Sequence, residues 1–373
     1  MQFFLIFFRL CAAVLAVYAG LFLAGCSVVE SRLSRDEQLT QLLNDTVGSK
    51  AHGVLLYLDT PGDPFLGEAG VADRETGAPI KIGSTLRLGS ITKTYVAALA
   101  VRAAEQGLLD LDAQIGTYLD ADVMAKLPSG LNPTVRQLLN HTSGVPDYYS
   151  ERFYETDWKR TEPLTPDLVL HAIRGLEATT TPGTDYAYSN TNYHLAALTL
   201  EAVTGKPIKD QFAGIIFEPL ELEETYYDSA FPPGDVIHGY GSPFGEWEDT
   251  YEFRENSGPD GGMFATAADT ARWIRALFSE EGAFADTGRV MTANPVKERE
   301  RKEQGMGAEI LISRSGARVV GHTGAIDGYL TAAFYIPAAD TVMVLHMNKF
   351  DDALFSSLTG NTLRIVMATT KDE

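Results

Sequence analysis

The sequence predicts an α+β fold in which strands from both ends of the chain form one antiparallel sheet, flanked by helices. Strand-like apolar runs occur near the start, at 53–58, and again between 308 and 347. The stretch of about 110–290 is mostly helix and loop, with Pro and Gly breaks, and reads as an insertion. The 373 residues, 45% of them hydrophobic, are enough to bury a large core.

The individual elements follow from local patterns. Leu39, Leu42 and Leu43 share one helix face within 36–47, and the run 91–109 keeps an apolar stripe that ends near Gly107. The other predicted elements are a buried strand at 53–58, shorter strands up to residue 88, strands at 308–313, 317–320, 329–336 and 341–347, and a last helix at 353–369.

The N-terminal segment is a targeting signal rather than part of the fold. Residues 1–25 are almost wholly apolar, with Arg9 as the one charge, and are followed by Cys26. The sequence Leu-Ala-Gly-Cys at 23–26 resembles a bacterial lipobox, in which the cysteine is lipidated and becomes the new N-terminus. An uncleaved transmembrane anchor over 10–25 is the alternative.

We therefore expect a lipoprotein signal peptide over 1–25, a tether over 26–35 that starts at the lipidated Cys26, and a folded domain over 36–373. Either N-terminal interpretation attaches the chain to a membrane outside the cytoplasm, at the periplasmic or extracellular face of the cell envelope. By analogy with other lipoproteins, Ser27 after the lipidated cysteine favours the outer membrane if the cell has two membranes.

Charge and cysteine content exclude several classes of function. The 30 Lys and Arg residues against 50 Asp and Glu give a net charge of -20, and the basic residues form no cluster that would bind nucleic acid. Both cysteines, Cys11 and Cys26, lie in the N-terminal segment, so the domain has none for a disulfide, a nucleophile or a metal site.

The first chemical motif is Ser90-Ile-Thr-Lys93 at the start of the predicted 91–109 helix. Residues three apart share a helix face, so Lys93 Nζ can approach Ser90 Oγ. A serine hydroxyl is a poor nucleophile until a base removes its proton, and a lysine with a lowered pKa can be that base. The helix N-terminus adds N–H groups for an oxyanion. The spacing alone is common by chance, and the alternative is a helix N-cap with a solvated lysine.

Two further motifs supply groups for the same chemistry. Tyr188 and Asn190, in Tyr-Ser-Asn, offer a phenol for proton transfer and an amide that can orient a carbonyl or Lys93. The segment from Gly321 to Ala325, Gly-His-Thr-Gly-Ala, opens a predicted strand, and its glycines allow a close approach to the backbone. The alternatives are a Tyr/Asn-rich turn and a turn between strands.

Taken together and in this order, the three motifs resemble those of the serine β-lactamase and penicillin-binding superfamily. The combination of Tyr-x-Asn with His-Thr-Gly is most similar to the class C β-lactamase-related group, which includes D-alanyl-D-alanine carboxypeptidases and esterases. The resemblance covers about 36–370, with supporting segments at 138–146, 217–220 and 261–266. It implies a β-lactamase/transpeptidase-like fold.

The resemblance also implies roles for single residues. Ser90 would be the nucleophile, Lys93 its hydrogen-bonded partner and Tyr188 a proton shuttle, and either Lys93 or Tyr188 would take the serine proton. The backbone N–H groups of Ser90 and Ala325 would form an oxyanion hole. His141 falls in a motif that the family uses structurally, so we expect it to lie outside the catalytic set.

The remaining motif residues would bind substrate. Asn190 would line the cleft, while His322 and Thr323 would form its far wall, followed by Gly324 and Ala325. Many relatives have Lys where His322 stands and a hydroxyl residue where Ala325 stands. Both changes weaken the binding of a substrate carboxylate, because histidine is mostly neutral at pH 7. They favour a peptidase or esterase over an efficient β-lactamase.

Two aromatic loops, 147–158 and 243–253, are expected to border the cleft. They could hold an apolar acyl or peptide group, and the equally weighted alternative is that their aromatic rings pin the loops to the domain.

The sequence therefore predicts an envelope-anchored serine hydrolase that acts on an amide or ester through an acyl-serine, D-alanyl-D-alanine carboxypeptidase-like or esterase-like. Its partner would be a small molecule or a peptide such as a peptidoglycan stem peptide. The alternatives are a class C-type β-lactamase and a non-catalytic lipoprotein that binds peptidoglycan or a protein. Motifs of α/β-hydrolases, zinc proteases and nucleotide-binding proteins do not occur, so we expect no cofactor and no metal.

Overall fold

The computed structural model describes residues 33–49, 51–154, 159–227, 232, 235–242, 247–254 and 258–369. The predicted signal peptide, the lipidation site Cys26 and the tether up to residue 32 lie outside this part of the chain. Within the described residues, no helix is both long enough and apolar enough to cross a membrane.

The described strands form three antiparallel sheets. In chain order the strands are β1 (Gly53–Asp59), β2 (Phe65–Gly70), β3 (Leu86–Arg87), β4 (Thr225–Tyr227), β5 (Tyr240–Gly241), β6 (Glu248–Asp249), β7 (Met263–Ala265), β8 (Val296–Arg299), β9 (Lys302–Gln304), β10 (Glu309–Ile312), β11 (Arg318–Ile326), β12 (Tyr329–Ile336) and β13 (Thr341–Met347). The largest sheet has eight strands in the order β2-β1-β13-β12-β11-β10-β9-β8, and the smaller ones are β3-β7-β4 and β5-β6.

The described helices lie mostly between β2 and β8. In chain order the α-helices are α1 (Arg35–Ser49), α2 (Thr92–Glu105), α3 (Ala121–Met124), α4 (Val135–Leu139), α5 (Glu151–Tyr154), α6 (Pro166–Ile173), α7 (Thr191–Thr204), α8 (Ile208–Phe212), α9 (Ala267–Phe278), α10 (Ala285–Thr292) and α11 (Asp352–Thr369). Short 3₁₀ turns occur at Gly89–Ile91, Ile115–Thr117 and Pro337–Ala339, and a π-helical turn at Ala213–Phe217.

The eight-stranded sheet joins the two ends of the domain. β1 lies between β2 and β13, with Val54 opposite Met347 and Leu58 opposite Met343. The chain leaves this sheet after β2, builds the helical region, and returns at β8. This arrangement confirms the predicted α+β fold with an antiparallel sheet built from both termini.

The eight-stranded sheet is covered on both faces, which explains the unbroken apolar run of β1. Because side chains alternate along a strand, Val54 and Leu56 pack with Leu39 of α1 and Phe355 of α11, whereas Leu55 packs in the core on the opposite face. That second core contains the central helix α2, whose residues from Thr92 to Val101 are all buried and mostly apolar. The nucleophile candidate therefore precedes a helix held in the middle of the protein.

The structure corrects two predicted boundaries. The predicted 91–109 helix is shorter, since a 3₁₀ turn precedes α2 and the helix ends at Glu105. The predicted strand 317–320 continues to Ile326, so the Gly321–Ala325 motif lies inside β11 rather than opening a strand or forming a turn. Gly321 and Gly324 weaken the sequence signal for a strand. In the structure they mark close contacts between backbones instead.

The contact at Gly324 places the Ser90 turn on the sheet. A Cβ built on Gly324 would lie 1.9 Å from the carbonyl oxygen of Leu88 and 3.3 Å from Ser90 N. No side chain fits at that distance, so the turn before α2 rests directly on the backbone of β11.

We predict that Gly324→Ala lowers the free energy of unfolding by about 1–3 kcal/mol, because the turn at Leu88 must move away from β11. Denaturant unfolding of the folded domain measures this difference. Gly360→Ala in α11 is the matched control, since a Cβ there meets no atom within 4 Å and alanine favours a helix. Equal stability of the two variants would show that the Leu88–Gly324 contact is not tight.

Candidate active site

Ser90 lies in the 3₁₀ turn between β3 and α2 and is partly exposed. The preceding Gly89 has a φ of +52°, which favours glycine, and a Cβ on it would lie 3.1 Å from Ala325 N. The absence of a side chain at residue 89 therefore lets the Ser90 turn approach the end of β11.

The backbone N–H groups of Ser90 and Ala325 belong to the two segments that meet in this contact. Asp327 and Gly328 form a two-residue turn between β11 and β12. The pair next to this turn, Ile326 and Tyr329, is therefore a hydrogen-bonded pair. Because bonded and non-bonded pairs alternate in antiparallel strands, the N–H of Ala325 points away from β12 and towards the Ser90 turn. The two N–H groups can therefore stabilise an oxyanion on a carbonyl that Ser90 attacks.

Lys93 is fully buried one turn after Ser90, in the first turn of α2. Its Nζ donates to three oxygen atoms: Ser90 Oγ at 2.9 Å, Asn190 Oδ1 at 2.8 Å and the backbone carbonyl of Asp260 at 2.7 Å. The protonated amine thus has one acceptor for each of its three protons. Without these acceptors the buried charge would be strongly unfavourable.

Burial lowers the pKa of Lys93 to about 8, against the opposing effects of the carboxylates of Asp260, Asp147 and Glu309. A neutral amine is therefore accessible near neutral pH. When Lys93 loses a proton, its two remaining N–H groups still donate to the carbonyl oxygens of Asn190 and Asp260, because these oxygens can only accept. The lone pair then faces Ser90 Oγ, and Lys93 is placed to take the serine proton.

Tyr188 approaches Ser90 from the helical side. Its hydroxyl donates to Ser90 Oγ at 2.8 Å, and its ring stacks on the buried His141 with the ring centroids 4.2 Å apart. Although 37% of Tyr188 is exposed to the cleft, the protein around it raises its phenol pKa well above the usual value. Tyr188 therefore carries its proton at neutral pH. His141 supports the tyrosine ring and accepts the Ser189 N–H through Nδ1, as expected of a structural residue.

Asn190 is oriented by a carboxylate that sequence patterns did not identify. Asn190 Nδ2 donates to Asp147 Oδ2 at 3.0 Å, so its carbonyl oxygen faces Lys93. Burial raises the pKa of Asp147 to about 6, which leaves it ionised at pH 7 and above. Its negative charge opposes the lowering of the Lys93 pKa.

Asp260 is a second carboxylate that positions Lys93. Its backbone carbonyl accepts from Lys93, while its side chain binds His194 Nε2 and the hydroxyl of Tyr148, each at 2.9 Å. Burial alone would raise the pKa of Asp260, but His194 and Lys93 lower it. The loop Gly-Pro-Asp-Gly-Gly at 258–262 signalled a turn in the sequence, and only the folded contacts reveal this role.

His322 does not occupy the position on the far wall of the cleft that the sequence predicts. His322 is only 1% exposed, its Nδ1 contacts the carbonyl oxygen of Thr323, and burial lowers its pKa to about 4. A buried, neutral imidazole does not reach a substrate carboxylate, so the structure does not place His322 on the cleft surface. Thr323 is partly exposed, and its hydroxyl donates to Glu309 Oε1 at 2.8 Å.

Aromatic rings of the two loops that border the site pack against the rest of the domain. Tyr148 and Phe153 of the first loop are fully buried, and the guanidinium of Arg160 lies 3.6 Å from the ring centroid of Phe253 in the second. Trp247 is 52% exposed. Residues 155–158 and 243–246 lie outside the described residues. The alternative in which the rings hold the loops to the domain thus accounts for Tyr148, Phe153 and Phe253, whereas the exposed Trp247 ring has Lys349 Nζ 5.1 Å from its centroid.

The structure thus brings Ser90, Lys93, Tyr188 and Asn190 into one hydrogen-bonded group, with Gly324 and Ala325 beside it. In the described part of the chain, no group of three or more His, Cys, Asp or Glu side chains is arranged to hold a metal ion.

We predict that Asp147→Asn lowers the Lys93 pKa below its value of about 8, because one of the carboxylates that stabilise the ammonium is removed. The asparagine carbonyl can still accept from Asn190, while its amide nitrogen no longer accepts the Tyr149 N–H as Asp147 Oδ1 does. NMR titration of the Lys93 side chain measures the change, and Asp122→Asn at the exposed start of α3 is the control. An unchanged or raised pKa would remove Asp147 from the electrostatics of the site.

Comparisons with known proteins agree with this geometry. Residues 39–364 match the Beta-lactamase family. Penicillin-binding protein 4* of Bacillus subtilis (strain 168) is 27% identical over 332 residues, which cover 84% of this chain and 72% of that protein. Esterase EstB of Burkholderia gladioli is 26% identical over 319 residues, which cover 77% of this chain and 74% of that one.

A solved structure shows the same fold. The D-stereospecific amidohydrolase from a Streptomyces species superposes with a TM-score of 0.75 at 25% identity, over 86% of this chain and 98% of that one. Together with the match over most of the domain, this likeness confirms the resemblance inferred from the three motifs. The chain belongs to the beta-lactamase family and is a serine hydrolase with the β-lactamase/transpeptidase-like fold.

Proposed function

We propose that this hydrolase cleaves an amide or ester through an acyl-enzyme on Ser90. The observation that carries the proposal is the pair of hydrogen bonds at Ser90 Oγ, one from Lys93 Nζ at 2.9 Å and one from the Tyr188 hydroxyl at 2.8 Å. Lys93 can take a proton from Ser90, and Tyr188 can give one to a leaving group. The nucleophile therefore has both proton-transfer partners in place before substrate binds.

In acylation, neutral Lys93 takes the Ser90 proton while Oγ attacks the carbonyl carbon. The negative charge that develops on the carbonyl oxygen is stabilised by the N–H groups of Ser90 and Ala325. The bond to the leaving group then breaks, and Tyr188 gives its proton to the departing nitrogen or oxygen. The Lys93 ammonium, which shares Ser90 Oγ with Tyr188, can return a proton to the phenolate.

In deacylation, a water molecule attacks the acyl carbonyl and the same groups act in reverse order. Neutral Lys93 accepts the water proton, either directly or through the Tyr188 hydroxyl, and the tetrahedral intermediate expels Ser90 Oγ. The acid product leaves, and Ser90 regains its proton from the neighbouring donor. Asn190 holds Lys93 throughout, because its carbonyl is fixed by Asp147.

The substrate class that we propose is a D-alanyl-D-alanine-type peptide or an ester. Relatives named as a penicillin-binding protein, an esterase and a D-stereospecific amidohydrolase support these two classes. The buried, neutral His322 supports weak binding of a substrate carboxylate, which argues against an efficient class C-type β-lactamase. A non-catalytic role in binding peptidoglycan or a protein would leave the hydrogen-bonded group at Ser90 without a purpose.

We predict that a fluorophosphonate adds covalently to Ser90, with loss of fluoride, and that Ser90→Ala abolishes both this adduct and the hydrolysis of p-nitrophenyl acetate. Loss of a nucleophile typically lowers turnover by about a thousandfold or more. Intact mass and absorbance measure the two effects. The exposed Ser315→Ala, in the turn between β10 and β11, is the control and should react like the unmodified protein. Labelling of Ser90→Ala at the original rate would contradict the proposal.

We also propose that the hydrolase domain is anchored in the cell envelope by a lipid on Cys26, with 1–25 removed as a signal peptide. The Leu-Ala-Gly-Cys segment supports the proposal, and Ser27 supports the outer membrane as the destination where the cell has two.

Lipidation can be tested directly in cells. We predict that radioactive palmitate labels the full chain and that Cys26→Ser abolishes the label. Cys11 lies inside the signal, so Cys11→Ser should leave the label unchanged. An unmodified chain that stays in the membrane fraction without taking up label would favour the uncleaved transmembrane anchor instead.

A further inference from the structure

A buried group of three polar side chains lies behind the Lys93 amine. Asp260 and His194 are each 1% exposed, and Tyr148 is fully buried. They belong to the loop before β7, the first turn of α7 and the loop before α5. Asp260 connects this group to the site, because its backbone carbonyl accepts from Lys93 Nζ at 2.7 Å.

Each carboxylate oxygen of Asp260 has its own donor. Oδ1 bonds to His194 Nε2, and Oδ2 accepts from the Tyr148 hydroxyl, both at 2.9 Å. The two bonds tie the Asp260 side chain to two separate elements, so the residue cannot turn without breaking one of them. Because the side chain and the carbonyl belong to the same residue, the two donors also fix where the carbonyl lies. The glycines beside Asp260, at 258, 261 and 262, have no side chain that could do so.

The contact with Asp260 gives a reason for a histidine at residue 194. Burial alone would raise the pKa of Asp260, but its charged and hydrogen-bonded partners lower it, so the carboxylate is ionised and can only accept. His194 Nε2 must therefore carry the proton of this bond. The other ring nitrogen, Nδ1, is buried and has no hydrogen-bond partner in the described part of the chain. An apolar side chain would leave no polar atom unpaired there, so stability alone does not explain the histidine.

The position of Asp260 affects Lys93 in two ways. Its carbonyl is one of the two oxygens that hold the remaining hydrogens of neutral Lys93, so that the lone pair faces Ser90. Its carboxylate comes first among the charges that oppose the lowering of the Lys93 pKa by burial. A shift of Asp260 would therefore change both the direction of the lone pair and the pKa of the base. The other described titratable side chains around Lys93 are Asp147, Glu309, Tyr188, Tyr193, His141 and His322.

We propose that His194 and Tyr148 are positioning residues for the proton transfer at Ser90. By holding the Asp260 carboxylate from two elements, they keep the Asp260 carbonyl on Lys93 Nζ and thereby direct its lone pair. The inference rests on the proposed acyl-enzyme at Ser90. It extends the site to a layer of side chains that is buried behind the base and out of reach of a substrate.

Three variants separate these hydrogen bonds from the packing of the rings. Tyr148→Phe and His194→Phe each keep an aromatic ring and remove the donor to Asp260. His194→Gln loses the ring but keeps an N–H donor near the position of Nε2. We expect kcat/KM for p-nitrophenyl acetate to fall about tenfold in both phenylalanine variants, the effect of one hydrogen bond to a charged group. His194→Gln should recover most of that loss.

The pH dependence of kcat/KM distinguishes positioning from a general loss of structure. A Lys93 ammonium that loses the Asp260 carbonyl is less stable, so the Lys93 pKa falls below its value of about 8. The neutral base then exists at lower pH, and the acid limb of the profile moves to lower pH while the maximum decreases. Partial unfolding would lower the maximum and leave the limb in place. Tyr335→Phe in β12, which removes a hydroxyl that donates to Asp340 Oδ1 at 3.1 Å, is the matched control and should keep both rate and limb.

The outcomes separate this inference from the proposed function. Loss of p-nitrophenyl acetate hydrolysis in Ser90→Ala establishes the acyl-enzyme independently of Asp260 and its donors. If that hydrolysis depends on Ser90 but both phenylalanine variants keep the original rate, or keep the original acid limb, the inference is wrong. A His194→Gln variant as slow as His194→Phe would overturn it for His194, because the ring and not the donor would then matter. If His194→Phe does not fold, the rate and the acid limb of Tyr148→Phe decide.

Discussion

The burial of the Lys93 amine is the constraint on which the rest of the site depends. A buried ammonium needs an acceptor for each proton, and the protein supplies these acceptors from three separate elements. They are the turn before α2, the start of α7 and the loop that precedes β7. Lys93 thus ties together parts of the chain that are far apart in sequence. The same burial lowers its pKa to about 8 and makes it available as a base.

The second requirement is that a sheet and a helical region meet without side chains between them. Gly89 and Gly324 place the backbone of the Ser90 turn against that of β11, and this contact brings two N–H groups to one point. Tyr188 and Asn190 approach from the helical side, where His141 and Asp147 fix their orientation. The site therefore lies at a junction: the proposed oxyanion donors come from the Ser90 turn and from β11, and the proposed proton-transfer groups come from the helical region.

Short motifs with fixed spacing were enough to predict the fold and the residues at the centre of the site. Ser90 and Lys93 are one helical turn apart, so local geometry alone brings them together. Asp147 and Glu309 could not be found this way, since each is a single acidic residue whose partner is distant in the chain. His322 shows the same limit, because its place in a motif does not determine which way the ring turns from the strand.

One rule about hydrogen-bond direction accounts for where the protons of Lys93 and Thr323 lie. Two carbonyl oxygens that can only accept hold the protons of neutral Lys93, so its lone pair is left for Ser90. One carboxylate that can only accept likewise takes the proton of the Thr323 hydroxyl. In each case an oxygen atom that can only accept determines where the proton of its partner lies. Positioning residues such as Asp147 and Glu309 should therefore influence the chemistry of this enzyme without touching its substrate.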